Sequence, residues 1–307
     1  MSLAPILVFV YNRPEHTKNL LESLERCTEL KKSKIYFFSD FYKAGNEKEK
    51  INVLRVRKII KKFSEKHKAK IIYNKINKGL YNNVINGINF VFKKNSKAII
   101  LEDDLLLSPN FLKFMNISLN KYKKFKNVAQ VSGYSYPLSL KNKNAYFLKL
   151  TSCWGWGIHR KSWFEFTNFI SKKKNVMSIY KNMIKFNKIK RNFNFNESFN
   201  YFRILKKQIN SSIASWGILF YLFCFVKKKI TLFPPYSLVK NLGFDGSGNH
   251  KSLSNFFNLK NDFSELNIIK YPRKTIINKC ISSKIEFFFR NELSFSAKVK
   301  NLINNYV

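Results

Sequence analysis

The sequence predicts an α/β fold in which a mostly parallel sheet is flanked by helices. Up to residue 131, short apolar runs of strand length alternate with longer segments whose apolar residues recur at helical spacing. The runs are continuously apolar, which is typical of strands that are covered on both faces. Each run also ends in polar residues, and ligands of parallel sheets bind beyond the carboxyl ends of the strands.

Four strands and four helices are expected to alternate in this first part of the chain. The strands are predicted at residues 5–11, 34–38, 69–73 and 97–101, and the helices at residues 15–25, 47–63, 81–92 and 109–122. Because right-handed crossovers join such strands, they run in parallel and bring their carboxyl ends to one edge of the sheet.

The second part of the chain has weaker patterns. Strands are predicted at residues 128–131 and 147–150, and helices at residues 172–191, 199–208 and 213–226. The last helix is the most apolar run, but it is shorter than the ~20 residues that span a bilayer, so we expect it to be buried. Pro234 and Pro235 place the preceding Leu232 and Phe233 on an edge or at a strand end.

The C-terminal segments are amphipathic at residues 285–290 and 297–306. Such segments either lie against a membrane surface or pack as a final helix, and the pattern does not separate the two.

The composition indicates a globular and strongly basic protein. Hydrophobic residues make up 45% of the 307 residues and aromatic residues 16%, which is enough to bury a full core. The net charge of +39 has two explanations. One is attraction to a polyanion, such as nucleic acid, an anionic membrane or a pyrophosphate-bearing substrate, and the other is an A/T-rich genome. The lysines are spread along the chain, so both explanations stay open.

The cysteines favour a reducing compartment. Cys27, Cys153, Cys224 and Cys280 are far apart and form no C-x-x-C pair, which excludes the common zinc spacings. The chain enters its first strand without a basic segment or a cleavage site, so no signal peptide is expected.

The most informative motif is the acidic triplet of Glu102, Asp103 and Asp104, at the end of the fourth predicted strand. Three adjacent carboxylates repel one another and resist burial, and holding a hard divalent cation is one use for them. A solvated acidic loop is the alternative. However, the chain has 18 acidic residues against 57 basic ones, so three in succession favour a function.

Polar residues at the same predicted edge follow the other three strands. They are Arg13, Asp40, Lys78 and Gly79. Neither G-x-x-x-x-G-K-[ST] nor G-x-G-x-x-G is present, so a nucleotide at this edge would be held by loop residues and a metal.

Two further segments could contact a ligand. Trp154 and Trp156 are separated by one glycine, which places both indoles on one face of an extended segment and suits a sugar ring; core packing is an equal alternative. The glycine-rich residues 243–250 end in His250, which suits a mobile lid that carries a metal or phosphate ligand. A plain surface loop is the alternative.

Five segments, in this order, carry a family resemblance: residues 5–9 with 12–14, 77–80, 101–104 with 108–111, 152–157 and 235–250. Together they resemble bacterial nucleotide-sugar glycosyltransferases of the GT-A fold, of the family-2-like type found in surface-polysaccharide clusters. The chain is also distantly similar to the N-acetylglucosaminyltransferase I group.

The resemblance implies a role for each candidate residue. Asp104 would bind Mn²⁺ or Mg²⁺, while Glu102 and Asp103 would contact the ribose or the donor sugar. The other residues implied to contact the nucleotide-sugar donor are Arg13, Asp40, Lys78, Gly79, Trp154 and Trp156. Among these, Asp40 would accept a hydrogen bond from the base. His250 would close over the diphosphate or complete the metal shell.

The chain departs from the family pattern before its most apolar helix. The family carries an acidic residue before a Ser-Trp pair and an arginine after it, whereas this chain has Ala214 before Ser215 and Trp216, and no arginine follows. An inverting enzyme needs a carboxylate to deprotonate the acceptor hydroxyl. Asp245 and Glu197 are the remaining acidic residues nearby in the sequence.

The resemblance therefore predicts three regions: a nucleotide-sugar-binding half at residues 1–131, an acceptor and catalytic half with a glycine-rich lid at 132–258, and a basic tail at 259–307. The expected function is metal-dependent, inverting transfer of a sugar to a glycan or glycolipid in surface-polysaccharide synthesis. A catalytically silent member that binds nucleotide-sugar or glycan is the alternative. A cytoplasmic location is expected, with a peripheral position on the inner face of the plasma membrane left open. No specific nucleic acid is expected, because only charge favours one.

Overall fold

The computed structural model describes residues 2–140, 143–245, 257, 263 and 269–292, and within these residues it confirms the α/β prediction. The strands β1 to β10 are Ile6–Val10, Ile35–Ser39, Lys70–Tyr73, Lys97–Glu102, Leu105–Leu107, Val128–Ser132, Tyr146–Leu148, Trp156–His159, Ile230–Phe233 and Val239–Asn241. The helices α1 to α10 are Pro14–Glu25, Glu47–His67, Gly79–Phe92, Phe111–Lys121, Arg160–Ser171, Lys173–Lys185, Asn187–Phe193, Tyr201–Ile209, Trp216–Val226 and Lys279–Glu292.

Eight strands form one sheet in the order β3-β2-β1-β4-β8-β6-β9-β7. The strands β1 to β4 pair in parallel, while β8 is antiparallel to both β4 and β6. β9 is parallel to β6 and antiparallel to the edge strand β7. Six of the eight strands therefore run in one direction, and the carboxyl ends of β1 to β4 meet at one edge.

The first helices are defined by signals in the sequence. α1 begins at Pro14, where the fixed φ of proline suits the first helical position. Its apolar face, with Leu20 and Leu24 fully buried, packs within the core. α2 begins after Asn46, whose side chain accepts a hydrogen bond from the Glu49 backbone N–H at 3.0 Å and so caps the helix. Local capping and apolar spacing therefore fix where these helices begin.

The second part of the chain adds a helical layer and completes the sheet. The predicted helix at 172–191 is two helices, α6 and α7, and the most apolar run is the buried helix α9. Across the described ranges, no helix is both long and apolar enough to cross a membrane. Phe233 ends β9, which confirms the strand-end alternative for this residue. α10 packs as a final helix through Ile281, Ile285 and Phe289, whereas residues 297–306 lie outside the described residues.

A separate two-stranded sheet lies beside the acidic triplet. β10 pairs antiparallel with β5, which begins one residue after Asp104. The sequence did not predict this pair, because each strand has three residues and no alternating pattern. The pairing brings residues 239–245 against the end of β4. The main sheet also continues across the predicted boundary at residue 131, and the three-region division stays a prediction.

Candidate functional site

A cleft of about 380 Å³ lies at the edge where the carboxyl ends of the parallel strands meet. Its lining comes from the ends of β1, β2 and β4, from the loop before α3, and from the first turns of α2 and α3. The structure therefore brings Arg13, Asp40, Gly79 and the acidic triplet to one cleft, as the parallel strand order requires.

Arg13 is the cationic partner of the triplet. Its Nη1 lies 2.9 Å from Asp104 Oδ2 and 3.8 Å from Asp103 Oδ1. The backbone N–H of Tyr11 donates to the other Asp103 oxygen at 3.1 Å. Arg13 lies three residues after the end of β1, and β1 pairs with β4, so the sheet brings this part of the chain to the carboxylates.

The triplet is electrostatically strained. Burial, followed by the charges of Asp104 and Asp103, raises the pKa of Glu102 to about 8. Burial also raises the pKa of Asp103 to about 6, although Arg13 opposes the shift. Because these pKa values exceed those of an unfolded chain, the folded state retains the protons to higher pH. The site therefore destabilises the fold as pH rises from about 4.5 to about 8.

The Glu102→Gln variant is expected to be more stable than the wild type at pH 8, by at least about 1 kcal/mol, and nearly equal at pH 4.5. Glutamine has the shape of the protonated carboxyl and cannot ionise. Melting temperatures across this pH range check the prediction, with Glu65→Gln on an exposed position of α2 as the control. A rise in melting temperature that is the same at every pH would contradict the electrostatic cause.

Asp40 is buried and holds the loop before α3. Its Oδ1 accepts from the backbone N–H groups of Phe41 at 3.0 Å and Lys78 at 2.9 Å, and from Asn74 Nδ2 at 3.0 Å. Its Oδ2 accepts from the Gly79 backbone N–H at 2.9 Å. Four donors occupy this carboxylate, so its structural role is observed, while its contact with a base stays a prediction.

Lys78 and Gly79 have different positions relative to the cleft. The Lys78 side chain is exposed and is not among the residues that line the cleft, whereas Gly79 lines it. Gly79 has a φ of +70°, a conformation that glycine adopts without strain. The backbone N–H groups of both residues point at Asp40, so Asp40 fixes the start of α3.

A further group of polar residues lines the cleft and was not predicted from the sequence. Asn77 Nδ2 donates to the Tyr11 hydroxyl at 3.0 Å and to the backbone carbonyl of Phe41. Burial and a hydrogen bond to Glu49 raise the pKa of Tyr11. Glu49 also accepts from the Lys43 backbone N–H at 2.9 Å. The position of Tyr11 at the end of β1 could have identified it, but Glu49 lies on a helix and gives no such signal.

Residues 241–245 lie against the triplet. The Leu242 backbone N–H donates to the Asp104 carbonyl at 2.7 Å. Gly243 is so close that an added Cβ would lie 2.5 Å from Asp104 Oδ2. Asp245 Oδ2 lies 3.2 Å from His16 Nε2 on α1. The structure thus places Asp245, a predicted catalytic residue, near the triplet, and it adds His16.

The structure does not bring Glu197 to the cleft. Its side chain is exposed in the segment between α7 and α8, and its Oε2 lies 3.9 Å from Arg191 Nε. It is not among the residues that line the cleft, and its role as the catalytic base stays a prediction. Sequence proximity to α9 suggested it, but the helix α8 lies between Glu197 and α9 along the chain. The predicted metal ligand His250 lies outside the described residues.

Trp154 and Trp156 have different surroundings. Trp154 is half-buried, with its ring 5.5 Å from Phe244 in the segment beside the triplet. Trp156 is fully buried and stacks on Trp216 at 4.9 Å. Trp156 therefore has the surroundings of the core-packing alternative, and its contact with a sugar stays a prediction. Gly155 has a φ of +57°, so the segment is not regularly extended and the two-residue alternation does not hold.

Ala214, where the chain departs from the family it resembles, lies just before α9. An added Cβ on Gly217, in the first turn of α9, would lie 2.8 Å from Cys153 Sγ. Burial raises the pKa of Cys153, and the charge of Glu102 adds to the shift. Ala214 therefore lies two residues before a helix whose first turn packs against Cys153.

The triplet has the chemistry of a partial cation site. Among the described residues, no group of three or more His, Cys, Asp or Glu side chains is arranged to hold a metal ion. Hard cations such as Mg²⁺ usually take one or two carboxylates and complete their shell with water and substrate phosphates. The carboxylates of Asp103 and Asp104, which already attract the Arg13 cation, fit this incomplete type.

No protein-family model and no curated protein matches the chain, whereas solved structures match it at low identity. GalNAc-T7 with UDP, GalNAc and Mn²⁺ has 13% identity and a TM-score of 0.46, covering 83% of this chain and 47% of that chain. The mannosyltransferase PcManGT from Pyrobaculum calidifontis, in complex with GDP-Man and Mn²⁺, has 13% identity and a TM-score of 0.36, covering 52% and 45%. UDP-glucose pyrophosphorylase complexed with UDP-glucose has 13% identity and a TM-score of 0.36, covering 76% and 90%. The chain thus spans about half the length of the first two proteins.

Proposed function

We propose that this protein is a metal-dependent glycosyltransferase that moves a sugar from a nucleoside-diphosphate donor to a glycan or glycolipid acceptor. The observation that carries the proposal is the acidic triplet at the end of β4, which opens into the cleft and faces Arg13. The buried charges of Glu102 and Asp103, whose pKa values are raised, are explained if a cation and its bound ligand compensate them. Surface-polysaccharide synthesis, an inverting outcome and a hexosyl donor are finer expectations of the same proposal.

Each group would have a separate role in donor binding. Asp104, with Asp103 beside it, would hold Mn²⁺ or Mg²⁺, and the metal would supply neutralisation of charge on the departing nucleoside diphosphate. Arg13 lies 2.9 Å from Asp104 and adds a fixed positive charge at the same point, where it can orient phosphate oxygens. Tyr11, Asn77 and Glu49 form the polar wall that a nucleoside would meet.

The catalytic base distinguishes two forms of the proposal. The carboxylates that line the cleft are Asp40, Glu49 and the triplet, and the first two are already hydrogen-bonded. Asp245 is 47% exposed and near the triplet, so it is the candidate base of an active enzyme. The second candidate function is a catalytically silent protein that binds nucleotide-sugar or glycan. Ala214 at the position of the family acid favours it.

The Asp104→Asn variant is expected to weaken metal-dependent nucleotide binding by at least about ten-fold, because one charged oxygen ligand is lost. The measurement is the rise in melting temperature caused by UDP, GDP, CDP, ADP and dTDP, each with and without Mn²⁺. Glu65→Gln removes the same charge from an exposed site and should behave as the wild type. If no nucleotide raises the melting temperature, or if Asp104→Asn retains the full rise, the metal site is not there.

Turnover then separates the enzyme from the silent binder. Release of nucleoside diphosphate from a panel of nucleotide-sugars, followed by mass spectrometry of an acceptor set, would show transfer. Clear turnover that is lost in Asp245→Asn supports an active enzyme with that base. Nucleotide binding without hydrolysis or transfer supports the silent alternative.

A further inference from the structure

A second surface of the molecule combines exposed apolar side chains with an excess of positive charge. It is formed by α6 and α7, and we call it the α6–α7 surface. Four large apolar side chains are exposed there within a short segment: Met177 (39%), Ile184 (57%), Phe186 (48%) and Ile189 (36%). Fifteen large apolar side chains are exposed in the whole described part of the chain, so about a quarter of them are gathered here.

These exposed side chains are not the face through which α6 packs against the core. The inner face of α6 is already buried through Val176, Tyr180 and Met183, which follow one another at helical spacing. Met177 and Ile184 lie seven residues apart and therefore share a different face of the same helix. The helix is thus apolar on two faces, one packed inward and one facing solvent, and the second face needs its own explanation.

The charge of the same segment is of one sign. Residues 172–193 contain seven lysines and one arginine and no acidic residue. Lys185 and Lys188 flank the exposed Phe186, and Lys185 Nζ lies 5.4 Å from the centre of that ring. Codon bias can raise lysine, isoleucine and phenylalanine everywhere. It does not explain why exposed apolar residues and unbroken positive charge coincide on one pair of helices.

We infer that the α6–α7 surface docks onto an anionic lipid bilayer. An amphipathic helix of this kind lies in the membrane plane, with its apolar side chains at the boundary between headgroups and acyl chains. The lysine stems follow the apolar groups while the ammonium groups remain at the anionic headgroups. Nucleic acid would use the charge but not the aliphatic side chains. The inference rests on the proposed function only for the reason why the protein would dock, which is access to a lipid-linked acceptor.

The test is flotation of the full chain with vesicles of phosphatidylcholine, with and without phosphatidylglycerol. Binding is expected only to the anionic vesicles. Two double variants, Ile184→Ser with Phe186→Ser and Lys185→Gln with Lys188→Gln, should each weaken it roughly ten-fold. The matched control is Ile51→Ser with Leu54→Ser on α2, which removes side chains that are 52% and 51% exposed on a basic helix whose positive charge is interrupted by three glutamates. The control should bind as the wild type.

Several outcomes would overturn the inference: absence of binding to anionic vesicles, equal loss in the α2 control, or retained binding in both double variants. Equal binding to duplex DNA, lost in the lysine variant but not in the apolar variant, would assign the surface to nucleic acid instead. Nucleotide-induced melting shifts are measured on the same samples. If vesicle binding fails while these shifts persist, the membrane inference fails and the proposed function stands. If vesicle binding persists while no nucleotide shifts the melting temperature, the proposed function fails and the membrane inference stands.

Discussion

Replacing Trp156 with alanine is expected to lower the free energy of unfolding by about 3–5 kcal/mol. The side chain is fully buried, with its ring centre 4.9 Å from that of Trp216 and 5.8 Å from that of Phe220. Its backbone pairs with Ile100 of β4 and Ser132 of β6, so it joins the two parts of the sheet. Truncation would leave a cavity that these strands cannot close. Urea denaturation measures the loss.

Two variants control this prediction. Trp154→Ala removes the same side chain from a half-buried position and should cost less. Trp156→Phe keeps an aromatic ring and removes the indole N–H, which has no hydrogen-bond partner within the described residues, so its cost should stay below about 2 kcal/mol. If Trp156→Ala kept its stability and lost donor binding, the sugar-contact role would be supported.

Replacing Asp40 with asparagine is expected to destabilise the protein by about 2–4 kcal/mol. The carboxylate accepts four hydrogen bonds, three of them from backbone N–H groups. An amide has one acceptor oxygen, so its NH₂ group would face at least one of these donors. The loop before α3 and the first turn of α3 should open, which amide hydrogen exchange at Lys78 and Gly79 would detect.

The same variant tests the nucleotide role of Asp40. Loss of stability in the nucleotide-free protein identifies a structural residue, and Glu65→Gln, which removes an exposed charge, should have no such effect. If Asp40→Asn unfolds as the wild type does but no longer binds nucleotide, Asp40 contacts the base, and its bonds to the loop matter little.

The first half of the fold was predictable because its signals are local. Continuous apolar runs predicted β1 to β4 to within two residues, and apolar residues at helical spacing predicted the helices between them. Parallel pairing then follows from the helical crossovers, and with it the meeting of Arg13, Asp40 and the triplet at one edge. Predicting that these residues meet required no information about long-range contacts beyond the direction of the strands.

The second half was less predictable because its strands are short and pair antiparallel with distant partners. β8 inserts between β4 and β6, and β10 reaches back to β5. Nothing in a run of three or four residues specifies a partner more than fifty positions away. The same reason explains why Glu197 lies away from the cleft, since closeness along the chain says little about closeness in space once helices intervene.

The sequence by itself determined the alternation of strands and helices, the sheet edge that bears the site, and the acidic triplet that defines its chemistry. Tertiary structure alone decided what each side chain contacts. It placed Asp245 beside His16, used Asp40 to hold a loop, and buried Trp156. The physical reason is that periodicity reports which residues are apolar, whereas burial and hydrogen bonding depend on packing between segments that are far apart in the sequence.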